Sequence, residues 1–370
     1  MSSLPSALCA AALAAGAWYL HTHPVAPQSP VDTLTLAPGY AYYWADLAEW
    51  FADQNRLPEA RASFQRAFAL ARDIPQIWLR QANFHFALEE PEAALPLAAR
   101  VLQTVSDYDA ILFSYFDRFS LAPSRVLSAI GSRPRPVQAY FEYLLGANAL
   151  GAAGEVWSFL RNRQWTTSSL AVAYLETLLR HRQPETAARV WADWLGARGA
   201  DYPTRNLLYN GSFENPLSGA PLDWRISAYP SVEALIDDIN PREGAHSLRI
   251  TFSGTDNVSY AHVAQVVPVS PGRLTLTAWY RSQALTTDEG PRLEVADGEN
   301  PHVVLASSEP ITGSHSWTSL RLPVSVPPFT RLVSVRVARR PSYRFDSKIG
   351  GTLWLDCVTL TASRTRPGGL

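Results

Sequence analysis

The chain has only two cysteines, Cys9 and Cys357, and a single lysine, Lys348. One cysteine lies in an apolar N-terminal run and the other in a predicted final strand, so no disulfide framework can be built from them. The Cys/His spacings of zinc sites are also missing. Charge of one sign is equally scarce, since 32 basic residues face 33 acidic ones and leave a net charge of −1. That balance removes the concentrated basic surface that nucleic acid requires. With one lysine, nearly all positive charge is arginine. A GC-rich bacterial genome accounts for such usage, although the guanidinium also suits planar polar ligands, acidic sugars among them.

Catalytic signatures are missing too. His21, His23, His85, His181, His246, His262, His302 and His315 are scattered, and none falls in H-E-x-x-H. There is no G-x-S-x-G elbow and no phosphate loop. Ser314 and His315 are neighbours, but adjacency along a strand sends them to opposite faces. Asp237 and Asp238 are adjacent in sequence, which is not the pair of carboxylates across a cleft that a glycosidase needs. These absences read as a non-enzyme without a catalytic cofactor. Disorder is excluded as well, because a hydrophobic content of 47% supports sizeable cores and 370 residues suggest two or three domains.

What is present begins with Leu4 to Leu20, an uncharged run rich in Ala and Leu. It is short for a membrane span and suits the apolar region of a signal peptide, with Ala15-Gly16-Ala17 as a small-residue cleavage pattern. Trp18 and Tyr19 also suit the interface of an anchor. Residues 1–20 are therefore read as signal peptide or anchor, and the protein as exported or inner-membrane anchored, facing the periplasm or the exterior. Pro24, Pro27 and Pro30 make residues 21–38 a linker.

From about Ala41 apolar residues recur with helical spacing. Trp44, Leu47, Ala48 and Phe51 share one face, and Ala60, Phe64 and Ala67 share the face of a second helix. Trp44 to Trp78, Ala60 to Ala94, Ala153 to Ala187 and Trp157 to Trp191 are each 34 residues apart. Residues 39–200 thus resemble the tetratricopeptide repeat, with Ala48 and Phe51 replacing the family glycine and tyrosine. Ala94 to Ala153 is 59 residues, nine short of two periods, so the third pair, about Tyr108 to Gly131, is expected to be truncated. Stacked repeats leave a concave surface for a protein partner, and Arg61, Gln65 and Arg80 are its candidate docking residues. A purely structural spacer is the rival reading.

After Gly199 the period of 3.6 stops, and short alternating stretches separated by Gly, Pro, Asn and Asp take over. Strands are expected at Leu207–Phe213, Leu248–Phe252, Ala261–Val269, Arg273–Arg281, Arg292–Val295, Thr318–Val326, Val333–Ala338 and Thr352–Leu360. An ordered series of short motifs runs through them: N-G-S-F-E at Asn210 to Glu214, Asp223-Trp224, G-A-H-S-L-R-I at Gly244 to Ile250, Q-V-V-P-V-S-P-G at Gln265 to Gly272, and L-W-L-D-C-V-T-L at Leu353 to Leu360. By this series residues 206–362 resemble the jelly rolls of bacterial carbohydrate-binding modules, also called galactose-binding-like. Residues 363–370 are read as a flexible tail. The expected architecture is multidomain: all-α repeats followed by an all-β jelly-roll sandwich.

The resemblance implies two sites. Family members often hold one structural calcium, which carries over to Glu214 and Asp356 with carbonyls near Glu243 and His246. Cys357 stands where a second acid is usual. For a sugar, Gln265, Trp279 and Arg281 are the candidates, because a pyranose face stacks on an aromatic ring while its hydroxyls need polar partners. The same resemblance implies a non-catalytic envelope component of exopolysaccharide or surface polysaccharide assembly, contacting glycan through the sandwich. The alternatives are a sandwich that contacts only protein, and a glycan-processing enzyme with an unrecognised site.

Overall fold

The computed structural model describes residues 30–363. The Leu4 to Leu20 segment and the tail after Ser363 lie outside them. Among the described residues no helix is long and apolar enough to cross a membrane. Two compact units form. One contains the residues up to 144 together with 151–160, and the other contains 145–150 together with 161 onward.

A short helix, α1 (Pro30–Leu36), lies within the segment expected to be linker. Five helix–turn–helix pairs follow: α2 (Ala41–Asp53) with α3 (Leu57–Leu70), α4 (Pro75–Ala87) with α5 (Pro91–Thr104), α6 (Asp109–Arg118) with α7 (Pro123–Ile130), α8 (Pro134–Gly146) with α9 (Leu150–Asn162), and α10 (Ser168–Arg180) with α11 (Pro184–Leu195). The leading helices start at residues 41, 75, 109, 134 and 168, which gives three intervals of 34 and one of 25. The short interval belongs to α6 and α7, of 10 and 8 residues.

The turns inside the pairs are built alike. Asn55, Glu89, Ser120, Asn148 and Arg182 each have positive φ. In four of them the next N–H reaches back to the first helix: Arg56 to the Phe51 carbonyl, Glu90 to His85, Leu121 to Phe116 and Gln183 to Leu178, at 2.8–2.9 Å. That is the bond that closes a helix end when the following residue turns left-handed. Pro91, Pro123 and Pro184 then open the second helix, where a missing N–H costs nothing. Packing follows the periodic face. Ala48, Ala60, Phe64 and Ala67 are fully buried, with Leu47 close behind. Trp44 and Phe51 lie at the edge of this cluster, and the Trp44 indole N–H donates to the Pro38 carbonyl at 2.8 Å.

The strands are β1 (Arg225–Ile226), β2 (Val232–Asp237), β3 (Ser247–Ser253), β4 (Tyr260–Pro268), β5 (Gly272–Leu285), β6 (Arg292–Asp297), β7 (Val304–Ser307), β8 (Gly313–Val326), β9 (Leu332–Arg339) and β10 (Gly350–Ala362). They form two five-stranded antiparallel sheets, ordered β1-β4-β9-β6-β7 and β2-β3-β10-β5-β8. Leu248, Ile250, Leu276, Ala278, Val335, Val337 and Leu353 belong to the single core between them. The architecture is helical repeats followed by a β-sandwich.

Leu207–Phe213 is not a strand, contrary to expectation. Its polar backbone is satisfied piecemeal instead of by a ladder. Leu207 donates to the Leu360 carbonyl and Val358 donates to the Gly211 carbonyl. The Asn206 side-chain oxygen accepts from Leu360 N–H at 2.9 Å. Gly211 is required at this crossing, because a Cβ there would lie 1.9 Å from the Val358 oxygen. The Val358 N–H is free to turn this way because β10 bulges between Asp356 and Thr359, with Cys357 at positive φ. Strands β1, β2 and β7 were not anticipated.

The last helical pair belongs to the same compact unit as the sandwich. Trp191 of α11 stacks on Trp194, with ring centres 5.1 Å apart, and meets Tyr209 edge-on at 5.6 Å. Tyr202 meets Tyr209 from another side at 6.0 Å.

Candidate functional site

The turn at residues 242–246 organises two carboxylates. Glu214 Oε1 accepts the N–H groups of Ala245 (2.9 Å) and His246 (3.0 Å). Asp356 Oδ2 accepts those of Arg242 (2.9 Å) and Glu243 (3.1 Å), and its Oδ1 accepts from Cys357 N–H at 2.6 Å. Gly244 has φ +72, and a Cβ there would meet the Glu214 carboxylate at 2.3 Å. Burial raises the Asp356 carboxyl above the ordinary carboxylate range, with these backbone N–H bonds opposing the rise. The Cys357 thiol, desolvated and beside Asp356, is pushed up to about 12, and it donates to Glu243 Oε2 at 3.4 Å.

The sequence reading placed a calcium at this turn. A hard cation needs six to eight oxygens. Here backbone N–H donors point at both carboxylates, and among the described residues no group of three or more His, Cys, Asp or Glu is set to hold a metal. The residues present fit a pair of carboxylate-capped turns and do not fit that ion.

The sugar candidates separate. Gln265 lies on β4 in the first sheet, 1% exposed. Its amide accepts Tyr209 N–H at 3.1 Å and donates to the Tyr209 carbonyl at 2.9 Å. It is a structural brace for the irregular 207–213 segment and is not available to a ligand. Trp279 and Arg281 lie on β5 in the second sheet, on its outer face as the alternation requires. The inner positions Leu274, Leu276 and Ala278 are buried. Trp279 does not offer a bare ring, because the Arg242 guanidinium sits 4.4 Å over it. Arg281 sits 4.7 Å over Trp354, whose indole N–H donates to the buried Asp237 carboxylate at 2.9 Å.

Beside these stacks the same face carries an open groove of about 820 Å³. Its floor is Thr275 and Thr277 of β5 and Thr359 and Thr361 of β10, and its sides include Arg205, Arg321 and Ser363. Register puts Thr277 opposite Thr359 and Arg321, and Thr275 opposite Thr361. The Thr277 and Thr359 hydroxyls are 2.6 Å apart, and those of Thr275 and Ser363 are 2.8 Å apart. Sequence reasoning set Thr275 and Thr277 with Trp279 and Arg281 on the polar face of one strand, a face suited to a concave cleft, and missed that the groove continues onto Thr359, Thr361 and Arg321. Its signal was the repeated T-L-T-A at 275–278 and 359–362, with threonine on one face of both strands. Tyr343 and Phe345, fully exposed on the β9–β10 loop, were also missed. Elsewhere in this unit a mainly apolar cleft of about 420 Å³ is lined by Ala188, Pro203, Leu207, Pro268 and Leu274, with Glu185, Arg189 and Arg273 also in its lining.

The docking candidates on the repeats are mostly committed elsewhere. Arg61 forms a forked pair with Glu90, 3.0 and 2.5 Å. Arg80 reaches Glu49 and Asp46 at 2.7 Å. These arginines tie successive helices together, so their forks are not free for a partner. Gln65 is exposed. The Glu90 carboxyl is held down to about 2, first by the Arg61 fork and then by His85 at 2.9 Å.

No family model matches the chain, and no curated protein matches it in sequence. Similar solved structures include a family 61 carbohydrate-binding module in complex with β-1,4-galactotriose, at 19% identity and a TM-score of 0.30, covering 43% of this chain and all of that one. A family 22 xylan-binding domain from Paenibacillus barcinonensis is 14% identical, with a TM-score of 0.27, over 42% of this chain and 94% of its own. A TPR protein with an unusual peptide-binding site is 12% identical, with a TM-score of 0.26, over 46% and 92%.

Proposed function

We propose that this protein is a non-catalytic glycan-binding component of the cell envelope, exported or anchored, whose sandwich contacts polysaccharide while its repeats dock a protein partner. The observation that carries this reading is the groove of about 820 Å³ on the outer face of the β2-β3-β10-β5-β8 sheet. It is open, floored by hydroxyls and flanked by guanidiniums, a lining that matches sugar hydroxyls in hydrogen-bonding capacity. Its lining contains no carboxylate, so the paired acids of glycoside hydrolysis are missing from it. A role in exopolysaccharide or surface polysaccharide assembly is the setting in which such a combination would serve.

The test is retention of the purified full-length chain on a panel of immobilised neutral and acidic polysaccharides, with and without calcium. Binding that falls in Thr277→Val and Arg321→Ala supports the reading. Absence of retention on every polymer would favour a sandwich that contacts only protein, and release of sugar from any of them would establish an enzyme.

A further inference from the structure

We infer that the glycan taken by this face is anionic, with its acid groups bound by Arg242, Arg281 and Arg321; this rests on the glycan-binding reading above. Neutral sugars are held by stacking a pyranose face on an open aromatic ring. At Trp279 and Trp354 the rings are already covered by Arg242 and Arg281, and Trp317, half-buried on the same face, has its indole N–H on the Asn240 carbonyl at 3.2 Å. Stacking uses the flat face of a guanidinium and leaves its edge N–H donors outward, in the fork that matches a carboxylate. Neither arginine makes an ion pair among the described residues, and neither does Arg321 in the groove wall. Residues 279 and 281 are two apart on one strand, so their side chains are separated by about 7 Å along the face.

The carboxylates near this face are engaged by other groups: Glu233 pairs with Arg249 at 3.5 Å, and Glu243 accepts from the Cys357 thiol at 3.4 Å. Asp237 is buried and takes the Trp354 indole N–H and Arg249, the latter at 3.7 Å. Asp356 is buried and taken by three backbone N–H groups. Arg205 has only Asp201, at 3.7 Å between two largely exposed side chains. The other sheet shows the contrast. Its buried Glu294 is paired with Arg336 at 2.8 Å and with Arg340 at 3.1 Å, so positive charge there is answered within the fold. On the groove face Arg249 is answered in the same way, by Glu233 and Asp237, while Arg242, Arg281 and Arg321 make no ion pair among the described residues. Four threonines between the arginines suit the hydroxyls of a sugar chain better than the bases of a nucleic acid, and the net charge of −1 gives no general attraction for polyanions.

The experiment is affinity electrophoresis of the full-length protein through gels containing polygalacturonate, alginate or hyaluronate, each alongside its carboxyl-reduced form. Double-stranded DNA serves as the polyanion control. We expect retardation by at least one acidic polymer, at least ten-fold weaker on its reduced form, and reduced about ten-fold in Arg281→Gln/Arg321→Gln. Arg321 is exposed and makes no ion pair among the described residues, so Arg321→Gln alone, checked by circular dichroism, separates lost binding from lost structure. Equal retardation by acidic and reduced forms would leave the glycan reading standing and overturn the anionic one. No retardation by any polymer would overturn both. Equal retardation by DNA, or loss of binding in Tyr343→Ala/Phe345→Ala but not in the arginine variant, would overturn the assignment to these arginines.

Discussion

Single side chains in this protein repeatedly do work that backbone ladders do elsewhere. Gln265 is the clearest case, an amide that satisfies both polar groups of Tyr209 from inside the core. Gln265→Leu keeps the bulk but strands a buried N–H and a buried carbonyl, and should cost about 2 kcal/mol or more. Denaturant unfolding checks this, and a variant as stable as the parent would refute the brace. Glu90 is a second case. Its folded pKa, about 2, lies below the unfolded value near 4.5, so its contribution is complete above the unfolded value and is lost as pH falls toward 2. Because Arg61 and Glu90 are each more than a third exposed, the pair is worth about 1 kcal/mol at most. Glu90→Gln should therefore be slightly less stable at neutral pH and equal to the parent near pH 2; a gap that persists in acid would assign it to another cause. Sequence reading put Gln265 at a sugar site and made no reading of Glu90. Gln265 sits at an inward position of an alternating strand, where polar residues look exposed until a partner from a distant segment is known.

Elements were legible wherever a period governed them. The spacing of 34 gave the repeat architecture, and the shortfall of nine residues located the truncated pair before any coordinates. The alternating stretches from Leu248 to Leu360 gave seven of the ten strands. What failed was Leu207–Phe213, because N-G followed by an aromatic looks like a strand start while Asn206 and Gln265 take over its hydrogen bonds. Of the groove, the Thr275 and Thr277 face was legible from alternation, and the share of Thr359, Thr361 and Arg321 was not. The two threonine pairs are separated by more than eighty residues, and only the order β10-β5-β8 makes them neighbours. Gly211→Ala tests the crossing of the 207–213 segment over β10, since the added methyl must displace the Val358 carbonyl. We expect a loss of about 3 kcal/mol, read as a lower thermal midpoint, and an unchanged midpoint would mean the crossing is loose. At the 242–246 turn, where N–H donors fill the carboxylates, calcium and chelator should leave the thermal midpoint unchanged. A rise of several degrees with calcium would restore the ion.

At the scale of the molecule, the change from helix to strand and the division into compact units do not coincide. Helices end at Leu195, yet α10 and α11 belong with the sandwich. Limited proteolysis should accordingly spare residues 201–205, where Tyr202 is buried among aromatic neighbours, and rapid cleavage there would contradict this packing. A stack of helical pairs is a one-dimensional array, and such arrays expose an apolar end unless a polar terminal repeat closes it. Among the described residues no such repeat follows α11. The face around Trp191, only 1% exposed, is closed by Tyr209 and its neighbours from the sandwich. The β-domain thus covers the outer face of the last helical pair, and a chain stopped after Gly199 would leave Trp191 bare and self-associate.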